Sequence, residues 1–439
     1  MMFRTTSSAR ALITAVTLAA AACTGEPDTD DPVTDPQFED PCSHASGTIC
    51  TWLGIPGTAM FSAEDIWRTE AATYLPQDGV FGPDGKFYFI DFNNHRIRAV
   101  DPDTNRVSTV SGTGFLGDGP EGPSSDFAFN HPTDLAFHPL DDSKLYVAAW
   151  HNSRINVVDL ATGETRFECA TGGRDFGGDN GPAISALLDL PASIAFEPDG
   201  TLFIMDQANQ LIRRVDTSDT ITTVAGKVET RNIDHDANPD TPNIDKTKGW
   251  PGYAGDGGPA SEARLWASVG QAADPSSRLT IHDRDLYFVD TENHMVRKVN
   301  LDTWQIDHVA GKVEYRENVD HDGNPATPAL STAKGWPGFA GEGTAAVDAV
   351  FNGPRDIEID DAGNMYIADT NNNCVRKIDT DGIITTVAGI CGELEAGFSG
   401  DDGPATEARL WRPYGIELAA DGRLFIADTQ NQVFRVVYP

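Results

Sequence analysis

The sequence predicts an all-β protein, a six-bladed β-propeller of four-stranded blades whose ring is closed by an N-terminal strand. Three observations carry this reading. First, a short apolar run ending in an acid recurs: FYFID at Asp91, LFIMD at Asp206, LYFVD at Asp290, MYIAD at Asp369 and LFIAD at Asp428. A weaker copy, LYVAAWHN, puts Ala149 in the acid's place. Second, Asn follows three residues later in every copy (Asn94, Asn152, Asn209, Asn293, Asn372, Asn431), then a strand such as IRRVD or VRKID and another ending TVSG, TVAG or HVAG. Four short strands cannot bury both their faces alone, so each unit must stack on another like it. Third, the last unit stops at Pro439 after three strands, while Thr48–Gly54 (TICTWLG) carries the fourth-strand pattern with no strands of its own ahead of it. Pairing the two removes the open edge between first and last blade.

In chain order, residues 1–22 hold Arg4, Arg10 and the apolar run Ala11–Ala22, the pattern of a secretory signal peptide. Cys23 directly after the small residues resembles a lipobox, which makes it the expected lipidation site. Ala20 departs from the usual Leu, and plain cleavage after Ala22 is the alternative. Residues 23–47 read as an acidic, Pro-rich tether, because Thr24–Pro41 carries no base and four prolines and cannot collapse into a core. Residues 48–439 form the propeller.

The chain has 32 Lys and Arg against 67 Asp and Glu, a net charge of −35. Nucleic-acid binding requires a cationic surface, so that class is excluded. An exported chain with six cysteines is expected to form disulfides. Cys42 and Cys50 are close enough in sequence to staple the tether to the domain. Cys374 and Cys391 flank connections that lie on one face of an up-and-down sheet. Cys169 is left as a buried thiol.

GDGGPASEARL, ADTNNNCVRKID and IITTVAG resemble the NHL repeat, in the form found in secreted bacterial proteins and in the NHL domain of teneurins. The resemblance covers roughly residues 50–439. It implies the six-bladed ring, and for function it implies a binder of protein, RNA or carbohydrate, with an occasional lyase.

Candidate functional residues fall on the face carrying the second-to-third strand corners and the connections between blades. The corner acids and the Gly-Asp-Gly acids Asp118, Asp179, Asp256 and Asp401 read as turn formers, the latter capping the short helical turn that follows. Two long insertions copy each other at an offset of 86 residues. They align Asp234, Asp236 and Asn238 with Asp320, Asp322 and Asn324, the opening of a calcium loop. Pro239 and Pro325 stand where glycine belongs, which leaves a Pro-rich turn cluster as the alternative. His235 and His321 lie between the acids. The same insertions bring Trp250, Tyr253, Trp336 and Phe339 as contact aromatics. At the top of the central channel the first strands present Asp78, Asp134, Ser193, Asp356 and Gly415, with Gly270 assigned to the fourth blade. Three carboxylates near one axis could hold a cation or a basic ligand tip, or cap backbone N–H groups.

Ten histidines are present, but only His131 lies beside a channel position, while His95 and His294 follow the corner Asn. No nucleophile motif or phosphate loop occurs. The expected function is noncatalytic recognition of a protein or glycan from the cell envelope. Calcium is the one cofactor considered, and a calcium-dependent, lactonase-like hydrolase or lyase with its site in the central channel is the alternative.

Overall fold

The second strand of each blade is the most apolar stretch of its unit, and its burial states why. Phe87–Asp91, Leu202–Asp206 and Leu424–Asp428 are buried at every position, as expected of a strand covered by a neighbouring blade on each face. Fourth strands such as Arg106–Ser111 and Ile383–Ala388 mix buried and exposed positions, because the blades splay apart with distance from the axis.

The structure is a computed structural model and describes residues 38–233, 241–269, 274–319 and 330–439. It is a ring of six antiparallel blades, and residues 40–439 form one compact unit. Among the described residues every helical turn is a short 3-10 turn. Blade 3 is representative: Pro191–Phe196, Leu202–Asp206, Leu211–Val215 and Thr220–Ala225 run outward from the axis. Gly181–Pro182 adds a two-residue strand on the outer edge, and blades 1, 2, 4 and 5 carry the same addition. The four strands expected per blade therefore gain a fifth, because each connection grazes the outer edge of the next blade on its way to the axis.

Ring closure is as read from the sequence. Ile49–Gly54 pairs antiparallel with Val433–Val437 and completes blade 6 from the other end of the chain. An aromatic cluster seals this seam: Trp52 on the closing strand meets Phe87 edge-on at 5.2 Å and Phe425 at 5.0 Å, and Phe87 stacks on Phe425 at 5.3 Å. Thr48 bridges Pro404, which gives blade 6 the outer edge its neighbours have.

The two insertions form β-hairpins, Val228–Ile233 with Ile244–Gly249 and Val313–Val319 with Leu330–Gly335. Gly249 and Gly335 end them against the blade corners. A Cβ on either would lie 2.5 Å from the Asn209 carbonyl and 2.2 Å from that of Asn293, so only glycine allows this approach.

Candidate functional site

Five of the six corners are built from an acid, the Asn three residues on and an Arg seven residues on. Asp290 accepts the Trp266 N–H at 2.8 Å, the Asn293 amide at 2.9 Å and Arg297 at 3.1 Å. Asp91 does the same with Tyr74, Asn94 and Arg98, and Asp206 with Asp189, Asn209 and Arg213. The five arginines Arg98, Arg213, Arg297, Arg376 and Arg435 are fully buried. Burial still dominates the acids, raising Asp206 to about 6 and Asp369 and Asp428 to about 7.

The Gly-Asp-Gly acids do not cap the turns that follow them, whose first position is held by Pro182, Pro259 or Pro404 without a side-chain bond. They reach inward instead: Asp179 meets Arg213 at 2.5 Å, Asp256 meets Arg297 at 2.6 Å and Asp401 meets Arg435 at 2.5 Å. A buried guanidinium has more donors than one carboxylate can accept, and the second acid supplies the rest.

The four aromatics of the insertions pack on charged and backbone groups of the chain itself. Tyr253 and Phe339 lie over Arg297 and Arg376 at 5.2 and 4.8 Å, as Phe61, Phe176 and Phe398 lie over the other corner arginines. Trp250 and Trp336 donate their indole N–H groups to the Glu229 and Glu314 carbonyls of their own hairpins, each at 2.9 Å, with Arg231 and Arg316 over their rings. These rings hold the hairpins down. Asp234, Asp236, Asn238, Asp320, Asp322 and Asn324 lie outside the described residues, as do His235, His321, Gly270 and Cys23. Cys42–Cys50 and Cys374–Cys391 are disulfides with Cα separations of 5.7 and 5.1 Å. Cys169 is a buried free thiol pushed up to about 12 by burial, so it carries no nucleophile at neutral pH.

At the axis the structure corrects one assignment. The fourth blade presents Arg278 to the channel, where the sequence reading had Gly270. Arg278 forms a short ion pair with Asp78, reaches Asp134 at 3.2 Å and Asp356 at 3.9 Å, and donates to the Thr133 and Gln77 carbonyls at 2.6 and 3.1 Å. The cation that three axial carboxylates call for is thus the chain's own. Burial opposes its charge, yet the three acids outweigh burial and raise its pKa.

The acids also cap backbone. Asp78, Asp134, Ser193 and Asp356 accept the N–H of Leu135, Ile194, Leu279 and Ile416, each from the next blade, at 2.7–3.2 Å. Two residues further along their strands, Glu358 and Glu417 extend the acidic lining. Burial raises both, Glu417 to about 8, and it raises Asp356 to about 6.

Above Arg278 the channel widens into a mouth on the corner face. His95 and His294 take the left-handed position that ends their corner turns (φ 51° and 52°). Their Nδ1 atoms accept the His131 and Gly353 N–H groups of the next blade at 3.4 and 2.9 Å. Gln210, Asn373 and Gln432 do the same work at their corners. Burial lowers His95 to about 4 and His294 to about 3, which keeps both as acceptors. The corner histidines are joints between blades. His131 and His151 are different: they touch each other through Nδ1 at 2.9 Å and line the mouth beside Trp150.

A family model of the teneurin NHL domain matches residues 67–253 and 279–394. This chain belongs to the teneurin NHL family. Mouse teneurin-1 is 24% identical over 383 residues, covering 81% of this chain and 12% of that protein. The chain therefore spans a small part of the length of the curated relatives it matches. Among solved structures, a Bacteroides thetaiotaomicron protein of unknown function superposes with a TM-score of 0.58 at 18% identity, covering 88% of this chain and 74% of that one. An auxiliary nutrient binding protein from the same organism superposes at 0.54 with 15% identity, over 88% and 75% of the two chains. The fold is shared with both. Two disulfides in such a ring are consistent with an exported or extracellular protein.

Proposed function

We propose that this NHL propeller is a noncatalytic recognition protein of the cell envelope, carried as a lipoprotein on Cys23 and contacting a protein or glycan through its corner face. One observation supports this above the rest: the axis is closed from within. A calcium-dependent hydrolase of the propeller type needs open carboxylates on the axis, and here Arg278 occupies the centre of Asp78, Asp134 and Asp356. A divalent ion there would have to displace a buried guanidinium bonded to two carbonyls as well. Beside the closed axis, the mouth on the corner face is a concave surface lined by Phe92, His131, Trp150, His151 and Tyr414. The net charge of −35 opposes any nucleic-acid partner.

The test is a pair of assays on the mature chain: protein and glycan arrays, and a lactone and ester panel with and without calcium. The expected result is saturable array binding with no calcium-dependent turnover. Turnover that Asp78→Asn abolishes would overturn the reading. For the anchor, Cys23→Ala is expected to move the protein from the membrane fraction to the soluble fraction. An unchanged distribution would exclude lipidation as the cause.

A further inference from the structure

The mouth departs from the repeat on one side only. The first residue of the corner turn is Thr in blades 4, 5 and 6. Its hydroxyl donates at 2.7 Å to the carbonyls of Pro354, Pro413 and Pro76 in the following blade. Blade 1 has Phe92 at that position and blade 2 has Trp150. Both forgo the threonine's bond and place an aromatic ring in the mouth. With Gln77, His131, His151 and Tyr414 they line a cavity of about 170 Å³.

A second observation at the same place concerns polar atoms rather than rings. Gln77 and Trp150 are each only 2% exposed, and neither Gln77 Oε1 nor Trp150 Nε1 has a hydrogen-bond partner among the described residues. A buried polar atom without a partner destabilises the fold unless something else meets it. One acceptor and one donor are therefore left without a partner in side chains that line a cavity, and that cavity has already given up two structural hydrogen bonds.

We propose that the mouth binds one neutral sugar ring, as a free monosaccharide or as the terminal residue of a glycan; this rests on the recognition reading above and narrows it. An indole N–H only donates and an amide oxygen only accepts, whereas a hydroxyl does both, so neighbouring ring hydroxyls satisfy the two atoms together. Phe92 and Trp150 line the cavity with apolar ring atoms against which the C–H side of a pyranose packs, while Tyr414 is covered by Arg355 at 4.6 Å. His131 and His151 are held neutral by burial, so they match hydroxyls rather than an ion. The charges at the rim are already engaged, Asp274 with Arg355 at 3.0 Å and with Arg412 at 2.7 Å. The cavity volume suits one ring, not an extended chain.

The test uses the intact mature chain, with tryptophan fluorescence and calorimetry against methyl glycosides of the common hexoses and N-acetylhexosamines. At least one is expected to bind saturably and quench emission. Trp150→Thr and Phe92→Thr copy the residue of blades 4–6 and so suit the fold. Each is expected to weaken binding by about tenfold or more, and the lost core packing is read separately as a lower melting temperature. Gln77→Met, which keeps the side-chain length without the amide, is expected to weaken it as well. An oligosaccharide ending in the same sugar separates the two sources: tighter binding than the methyl glycoside points to a glycan terminus, equal binding to the free sugar. If no glycoside binds, or if the threonine variants bind as the wild type does, the sugar site is overturned. Array binding that persists in Trp150→Thr would leave the recognition reading standing and still remove this site.

Discussion

At five corners of the ring a buried Asp faces a buried Arg, and an aromatic ring lies over the guanidinium at 4.8–5.2 Å. At the corner of blade 2 the same positions hold Ala149 and Asn156, and the aromatic, Phe115, is 77% exposed. Asn152 remains, and its carbonyl accepts the Asn130 N–H at 2.8 Å, the bond the missing carboxylate makes elsewhere. The contrast teaches that acid, base and ring are one unit. Losing either charge alone would bury the other without a partner, so both are gone together, and the ring they held is released to solvent. The blade that lost this unit is also the one that contributes Trp150, His131 and His151 to the mouth.

The largest way to break the contrast is to give a regular corner half of blade 2's solution. Asp290→Ala leaves buried Arg297 with Asp256 as its one remaining carboxylate and the Trp266 N–H without its acceptor, and is expected to cost about 3–5 kcal/mol in urea unfolding. Adding Arg297→Asn, so that both positions copy blade 2, is expected to recover part of that loss. A double variant no more stable than the single one would show that the charges are not coupled. The reverse experiment has a smaller expected effect: Ala149→Asp alone buries an unpaired acid at a cost of about 2 kcal/mol, and Asn156→Arg beside it reduces the cost.

Acid and base titrations should separate the two kinds of corner by sign. Asp369 and Asp428 have folded pKa values of about 7, above the ordinary carboxylate value. The folded state therefore holds their protons longer than the unfolded chain does. That stability is complete below about pH 4 and is lost as pH rises through 7. At blade 2, His131 is lowered to about 3 by burial and by its histidine neighbours. The unfolded chain takes up that proton first, so the contribution is present above about 6.5 and is lost as pH falls through 3. Asp428→Asn should flatten the decline of melting temperature between about pH 4 and 7, and His131→Gln should flatten the rise on the acid side. The opposite assignment of slopes to variants would contradict the burial argument. The smallest effect is expected at Asn156, both of whose amide atoms are buried without a partner among the described residues. Asn156→Leu should be neutral or stabilising by about 1 kcal/mol.

The ring was legible because its signals are local. A run of apolar residues ending in Asp, with Asn three places on, marks each second strand and its corner, and TICTWLG marks the closing strand. The corner arginines were equally visible, seven residues after each acid and replaced by Asn156 only where Ala149 replaces the acid. Their burial is not legible in the sequence, because a charged residue in a strand reads as a solvated face and only packing between blades covers it. Arg278 was harder. Asp356 precedes Asp369 by thirteen residues, but the turn in blade 4 is one residue shorter, so the same count back from Asp290 lands on Ser277. A Pro two residues ahead marks the channel position in the other blades, and blade 4 has none there, which leaves Gly270 as the sequence assignment. The mouth was not legible at all, since Gln77, Trp150 and Tyr414 come from three different blades and no spacing in the chain joins them.

The central claim is that Arg278 closes the axis and leaves recognition to the mouth. Calorimetric titration with calcium tests it directly, in a parent carrying Asp234→Ala, Asp236→Ala, Asp320→Ala and Asp322→Ala so that only the axis can respond. No binding heat is expected in this parent, and a divalent site is expected in the Arg278→Ala derivative, which calcium should also stabilise against heat. Calcium binding by the parent that disappears in Asp78→Asn would contradict it.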